Sequence, residues 1–387
     1  MTVPHMGFIE NDNWNITYWT TLQMGASALG QTEKKQWMIG LFCGCATLYS
    51  CRTVMPLVAV PMAKEMGWDK TESGSVLSAF FWGYTMTQFL GGYLSDRVGG
   101  DVVLPIAACC WSLVTFWTPQ LTYLFEDKYL TLRLIIFSRV LLGVFQGVYM
   151  PCITSFIGQF VPQKQRTSSV GFVVAGTYAG SLISRKIPEH ERSLTYSIVC
   201  SGSHLGPDWF DLDAMYALPA DRSTPSEVPT CDIGWVFNVV PWVVTIPSSI
   251  FGGWLADLMI TKGWSVTFVR KFMNTITMLG TAFFLVVISY TTSYEGALVC
   301  MALAVACCGF HNSGILVNPQ DIAPKHAGSV FGIMNMAGAI PGFIGVYMAG
   351  HILEVTKSWS AVFNQTAAVS VFGWIVYTIF GTGKQII

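Results

Sequence analysis

The sequence predicts an all-α membrane protein of about ten spanning helices, on three observations. Of the 387 residues only 11% are charged and 52% are hydrophobic, with mean hydropathy +0.50; a soluble domain carries roughly 25% charged residues. Apolar stretches recur along the chain, each meeting the roughly 20 residues a helix needs to cross a bilayer. Lysine and arginine gather in every second connection, the pattern that marks cytosolic loops. The lipid bilayer is therefore the chain's solvent. A net charge of −1 without a basic run gives no sign of a nucleic-acid partner.

The elements follow in order. Residues 1–36 are polar and read as a cytosolic N-terminal tail without a cleavable signal peptide. The sequon Asn15-Ile16-Thr17 then lies on the cytosolic side, unused. Spans are expected near 37–60, 74–94, 102–123 and 131–159, and again near 234–256, 271–290, 296–318, 327–350 and 359–380, with one more from the region between. Lys34 and Lys35, Arg97, Lys164 and Arg166, Lys262, Arg270 and Lys271, Lys325 and Lys384 mark the cytosolic ends. On the other side, the proline-rich stretch 207–233 carries Asp208, Asp211, Asp213, Asp221, Glu227 and Asp232 against Arg222, and reads as an acidic lumenal loop. It separates an N-terminal helical bundle, 37–206, from a C-terminal one, 234–387.

Neither enzyme chemistry nor a cofactor is expected. There is no Gly-x-x-x-x-Gly-Lys phosphate cradle, no Ser/His/Asp arrangement and no pair of carboxylates. The eleven cysteines, mostly inside spans (Cys43, Cys45, Cys51, Cys109, Cys110, Cys300, Cys307, Cys308), lack CxxC or Cys/His metal spacing and read as free apolar thiols.

Two arginines carry the strongest functional signal. Arg52 and Arg139 stand inside apolar runs, Met38–Val58 and Leu134–Val144, that hold no Asp or Glu. A cation in hydrocarbon costs at least about 2.5–3.5 kcal/mol, so it usually faces a water-filled cavity and meets an anion. The plainer readings are a buried carboxylate partner from another span, or snorkelling from a helix end. Around Arg139 the spacing Ser138-Arg139, Gly143, Gly147 sets small residues on one helical face, which predicts open space beside the guanidinium. His311, in Gly309-Phe310-His311-Asn312-Ser313-Gly314, is a candidate proton relay or substrate donor, or a polar interhelical contact. Phe81, Trp82, Tyr84 and Tyr149 are candidate stacking surfaces for a base, or ordinary packing. Asn318 and Asp321 end a span, with Asp321 read as a turn residue before Pro324.

Two internal repeats add to this. Gly91-Gly92-Tyr93-Leu94-Ser95-Asp96-Arg97 is matched by Gly252-Gly253-Trp254-Leu255-Ala256-Asp257-Leu258, each ending a span on the cytosolic side. The glycines let helices approach closely, and Asp96 and Asp257 are expected to accept N–H groups at the start of the next helix or to pair with a loop cation. In the second repeat, Val161-Pro162-Gln163-Lys164-Gln165-Arg166-Thr167 is matched by Ile187-Pro188-Glu189-His190-Glu191-Arg192-Ser193. The region 161–206 thus holds two versions of one cytosolic turn and helix start. If both crossed the membrane, the later half would invert against its positive charges, so one is expected to stay out.

The context Gly92-Tyr93-Leu94-Ser95-Asp96-Arg97-Val98-Gly99-Gly100 resembles the loop signature of the major facilitator superfamily. Ser78 through Gln88, Ser138 through Gly147 with Pro151, and Asn318-Pro319-Gln320-Asp321-Ile322-Ala323-Pro324 with Gly328, Gly332 and Asn335 resemble helices 2, 4 and 10–11 of its solute carrier family seventeen of organic anion transporters. The match covers about 37–160 and 187–380. It implies twelve helices, of which this chain has about ten, helices 6 and 7 being missing around 207–233. Within the family the vesicular nucleotide transporters are most alike, on Tyr49-Ser50-Cys51-Arg52, Gln146-Gly147-Val148-Tyr149, Thr195-Tyr196-Ser197-Ile198-Val199 and Phe237-Asn238-Val239-Val240-Pro241-Trp242. The resemblance implies transport of a small anion, nucleotide foremost, into a secretory or lysosome-like vesicle or across the plasma membrane. Membrane potential would drive it, with chloride or protons as accompanying ions. It maps the family's helix-1 and helix-4 arginines onto Arg52 and Arg139. Alternatives are a sibling symporter of phosphate, glutamate or an acidic sugar, and a truncated, non-transporting isoform.

Overall fold

The computed structural model describes residues 31–122, 124, 127–185, 234–291 and 293–386. Most of the N-terminal tail, the second copy of the duplicated segment and the acidic stretch 207–233 lie outside them. Among the described residues there are ten long helices and no strand. They are α1 Gln31–Met66, α2 Lys70–Val98, α3 Gly100–Leu121, α4 Lys128–Phe160, α5 Gln163–Arg185, α6 Gly234–Thr261 and α7 Val266–Tyr290. Next comes α8, Glu295–Ile322, whose α-helical course breaks at the π-helical turn Asn312–Leu316. Last are α9 Ala327–Thr356 and α10 Trp359–Phe380. The count agrees with the sequence reading.

Local chemistry sets the ends. Asp69 and Glu72 form a reciprocal capping box on α2, Asp127 caps α4, and the Ser265 and Ser293 hydroxyls cap α7 and α8. A single residue, Gly99, joins α2 to α3 at φ 107°, a backbone conformation that favours glycine. Seven of the helices are apolar and long enough to span a membrane by themselves. α9 is not among the seven, nor are α2 and α5, which are rich in Gly, Ser and Thr. Their small residues lie where they pack on other helices, α2 on α4 and α9 and α5 on α1 and α6.

In the first half α1 lies along α5, and α4 packs on α2 and α3. In the second, α7 packs on α8 and α10, and α6 on α8. Two seams join the halves, α2 to α9 and α5 to α6. The repeated glycines build these seams: a Cβ on Gly92 would strike the Gly328 carbonyl of α9, and one on Gly253 would meet the Thr167 carbonyl of α5 at 2.8 Å. Of the duplicated segment, the first copy is built into the fold, as α5.

The repeated aspartates do not cap the next helix. Asp96, at the end of α2, accepts the N–H groups of Gly328 (3.0 Å) and Ser329 (2.7 Å) and the Ser329 hydroxyl, all at the start of α9. Asp257, at the end of α6, does the same for Thr167 (3.2 Å), Ser168 (2.7 Å) and the Ser168 hydroxyl on α5. The carboxylate satisfies the helix start that lies across the seam, because the glycines bring that helix into contact while α3 begins on the far side of a turn. Arg97 does not serve as a loop partner for Asp96; its guanidinium lies over Tyr93, 4.9 Å from the ring centre.

Candidate anion site

The site is built on α1, α2 and α4. α2 and α4 touch backbone to backbone: a Cβ on Gly143 would strike the Phe80 carbonyl, and one on Gly147 the Tyr84 carbonyl at 2.5 Å. The small-residue face beside Arg139 is therefore filled by α2, and the open space expected there is absent. Close approach delivers the Phe80 side chain between the two arginines instead. The Arg139 guanidinium carbon lies 5.6 Å from the centre of the Phe80 ring, and that of Arg52 lies 5.2 Å from the same ring. Arg52 also faces Phe81 at 5.1 Å and Tyr84 at 5.6 Å. Arg139 is 3% exposed, and its Nε has no hydrogen-bond partner. No ion pair holds it among the described residues. A guanidinium held by aromatic faces keeps its N–H fork for another ligand.

Three of the four predicted binding residues thus come together: Arg52, Arg139 and Tyr84. Tyr84 stacks on Phe80 at 5.7 Å and accepts a hydrogen bond from Asn335 of α9. His311 does not join them. It precedes the π-helical turn of α8 in the second half, beside Asn312, which donates to Ser249 of α6 at 2.7 Å. Of the other aromatics, Trp82 is 67% exposed on the outer face, and Tyr149 stacks on Trp111 at 5.5 Å. Trp82 faces outward, and Tyr149 lines a cavity with Trp37, Gly44 and Leu104 whose lining includes neither arginine.

Asp321 is more than a turn residue. Buried at the C-terminal end of α8, its carboxylate meets Arg270 Nε of α7 at 2.7 Å and Arg166 Nη1 of α5 at 3.8 Å. Arg270 also donates to Thr167 and to the Ser313 carbonyl, and Arg166 to the carbonyls of Gln320 and Gly158. Asn318 sits one helical turn earlier, also buried. Sequence reasoning took Arg166 and Arg270 only as markers of the cytosolic side. Phe80 went unnamed because an aromatic on a membrane helix is ordinarily packing. The signal for it was its place beside two arginines that lack carboxylates.

Comparison with known proteins agrees with this architecture. The sequence profile of the Major Facilitator Superfamily matches residues 40–188. The voltage-gated purine nucleotide uniporter SLC17A9 of Rattus norvegicus is 34% identical over 411 residues, covering 92% of this chain and 91% of its own length. That alignment is longer than the chain itself, so the relative carries residues with no counterpart here. The chloroplastic sodium-dependent phosphate transport protein 1 of Arabidopsis thaliana is 31% identical, over 91% of this chain and 80% of its own. Among solved structures, the proton:xylose symporter XylE superposes with TM-score 0.65 at 16% identity, over 96% of this chain and 98% of its own. The chain is a multi-pass membrane transporter of the major facilitator superfamily, and within it belongs to the solute carrier family seventeen of anion transporters.

Proposed function

We propose that the arginine pair binds a small organic polyanion, a nucleotide foremost, for potential-driven movement across a vesicle membrane. The observation that carries the reading is the arginine pair: two buried guanidiniums on neighbouring helices share one aromatic ring, and Arg139 has no carboxylate partner among the described residues. Planar guanidinium forks take phosphate oxygens two at a time, and a polyphosphate needs more than one cation. A potential positive inside the vesicle would pull the anion inward, at about 2.3 kcal/mol per charge per 100 mV. The two halves would rock about their seams to alternate access. Chloride or protons are the candidate accompanying ions, and His311 is a candidate proton carrier apart from the arginine pair. The likeness to a purine nucleotide uniporter supports the substrate class; the likeness to a phosphate transporter keeps inorganic phosphate as its nearest competitor.

The reading includes two lost spans between α5 and α6, supported by the long alignment with the rat relative. The test is binding and uptake of labelled ATP, phosphate, glutamate and sialic acid by the purified chain in proteoliposomes under an imposed potential. Arg139→Ala is expected to abolish ATP binding while the protein remains folded, and Arg139→Lys to lose most of it, because lysine is a point charge without the fork. ATP binding near the parental level in Arg139→Ala would sink the anion-site role.

A further inference from the structure

The arginine pair is tied to the opposite half of the molecule by one continuous set of contacts. Phe80 carries both guanidiniums and stacks on Tyr84, and Tyr84 also carries Arg52. The Tyr84 hydroxyl accepts a hydrogen bond from Asn335 Nδ2 at 3.3 Å, and Asn335 belongs to α9, across the seam. On α2, Tyr84 stands about 18 Å before Asp96, which ties the same two helices where α2 ends and α9 begins. The Tyr84–Asn335 bond therefore joins the halves at the depth of the arginines. Nearby, Gly332 of α9 lies against the Gln88 carbonyl of α2, so the helices are close enough for a small shift of one ring to be felt by the other helix.

Aromatic faces hold a guanidinium more loosely than an anion's oxygens do. An anion reaching the arginine pair competes for Arg52 and draws it off the faces of Phe80, Phe81 and Tyr84. The Tyr84 ring loses a neighbour that fixes its orientation, and its hydroxyl loses its alignment with the Asn335 amide. We infer that Tyr84 and Asn335 are positioning residues that form a latch: they hold α9 to α2 while the arginine pair holds no anion, and anion capture releases them. This rests on the anion-carrier reading and adds to it a route from site occupancy to the seam that must open for alternating access.

The test is hydrogen–deuterium exchange of the purified 387-residue chain in lipid nanodiscs, read on the amides of α9 near 328–340. Tyr84→Phe removes the hydroxyl and keeps the ring; Asn335→Leu removes the amide. Without ligand, each single variant should exchange about fivefold faster than the parent, the weight of one hydrogen bond. The double variant should be no faster than either single, because both remove the same bond. Saturating ATP should bring the parent to the variants' rate and leave Arg139→Ala at its own ligand-free rate. Unchanged ligand-free rates in both single variants would overturn the latch. So would effects that multiply in the double variant, since those belong to two independent packing defects. A parent that binds no ATP in a separate equilibrium measurement would sink the nucleotide reading and its release step, while the ligand-free rates would still decide whether the latch exists.

Discussion

The two seams are alike at their aspartate-capped ends and differ beyond them. Asp96 and Asp257 each take two backbone N–H groups and one serine hydroxyl from the helix across the seam. Past these caps α5 is covered on two sides, by α6 and by α1, with Gly176 and Gly180 seated against the carbonyls of Phe42 and Ala46. α9 meets α2 at Gly332 and then opens: Ile344 is 58% exposed, Val355 is 69% exposed, and nothing lies within 4 Å of a Cβ placed on Gly345. Among the described residues, no helix of the second half lies along α9 as α1 lies along α5. A cap needs only a short motif and a neighbouring helix start. Cover needs a whole helix supplied from elsewhere in the chain, and the proposed loss of two spans takes one away.

The largest expected effect follows from that difference. Restoring two spans between α5 and α6 should raise potential-driven ATP uptake in proteoliposomes by roughly an order of magnitude or more, the outcome expected if the missing cover of α9 limits transport. Equal rates for the two chains would break the comparison, since an uncovered α9 would then be harmless.

The next effect separates the seams chemically. The α5–α6 side carries the buried Arg166–Asp321–Arg270 cluster, and the α2–α9 side has the Ser155 hydroxyl on Asp96 at 2.7 Å. Asp321→Asn leaves two buried guanidiniums without their carboxylate and should cost about 3–5 kcal/mol, read from denaturation midpoints in detergent. A loss no larger than that of a cap would show the cluster to be idle.

The caps themselves should be nearly equal. Asp96→Asn and Asp257→Asn each weaken three matching bonds at buried positions, and Asp96→Asn also the bond from Ser155, so each should cost about 1–3 kcal/mol, with Asp96→Asn slightly the larger. A large gap between them would show that the repeated motif does different work in the two halves.

The smallest effect lies at the opposite end of α2, where solvent screens it. The backbone N–H of Asp69 and then the Lys128 ammonium, 2.9 Å away, hold the half-buried Glu72 carboxyl below its ordinary range. A depressed carboxylate pKa stabilises above the unfolded value, about 4.3, and that contribution is lost as pH falls through the folded value. Glu72→Gln should lower the melting temperature slightly at pH 7 and make no difference below about pH 3. A penalty that persisted in acid would assign the effect to packing.

Much of the site was legible because charge in an apolar run is costly. Arg52 and Arg139 stand out for that reason, and Tyr84 through the motif around it. What stayed hidden was pairing. Nothing near Arg139 in sequence names Phe80, nothing near Arg270 names Asp321, and the glycines after Arg139 suggested space where α2 in fact sits. Glycine spacing records that something comes close and leaves its identity open.

By itself the sequence determined the class of protein, the succession of long apolar helices and the two charged positions within them, because hydropathy and the cost of a buried cation are properties of local stretches. Only the tertiary structure decided what those stretches meet. It put Phe80 between the arginines, sent Asp96 and Asp257 across the seams, drew Arg166 and Arg270 onto Asp321, and moved His311 away from the arginine pair. The physical reason is that each of these contacts joins residues far apart in the chain, and their geometry is set by how closely whole helices approach.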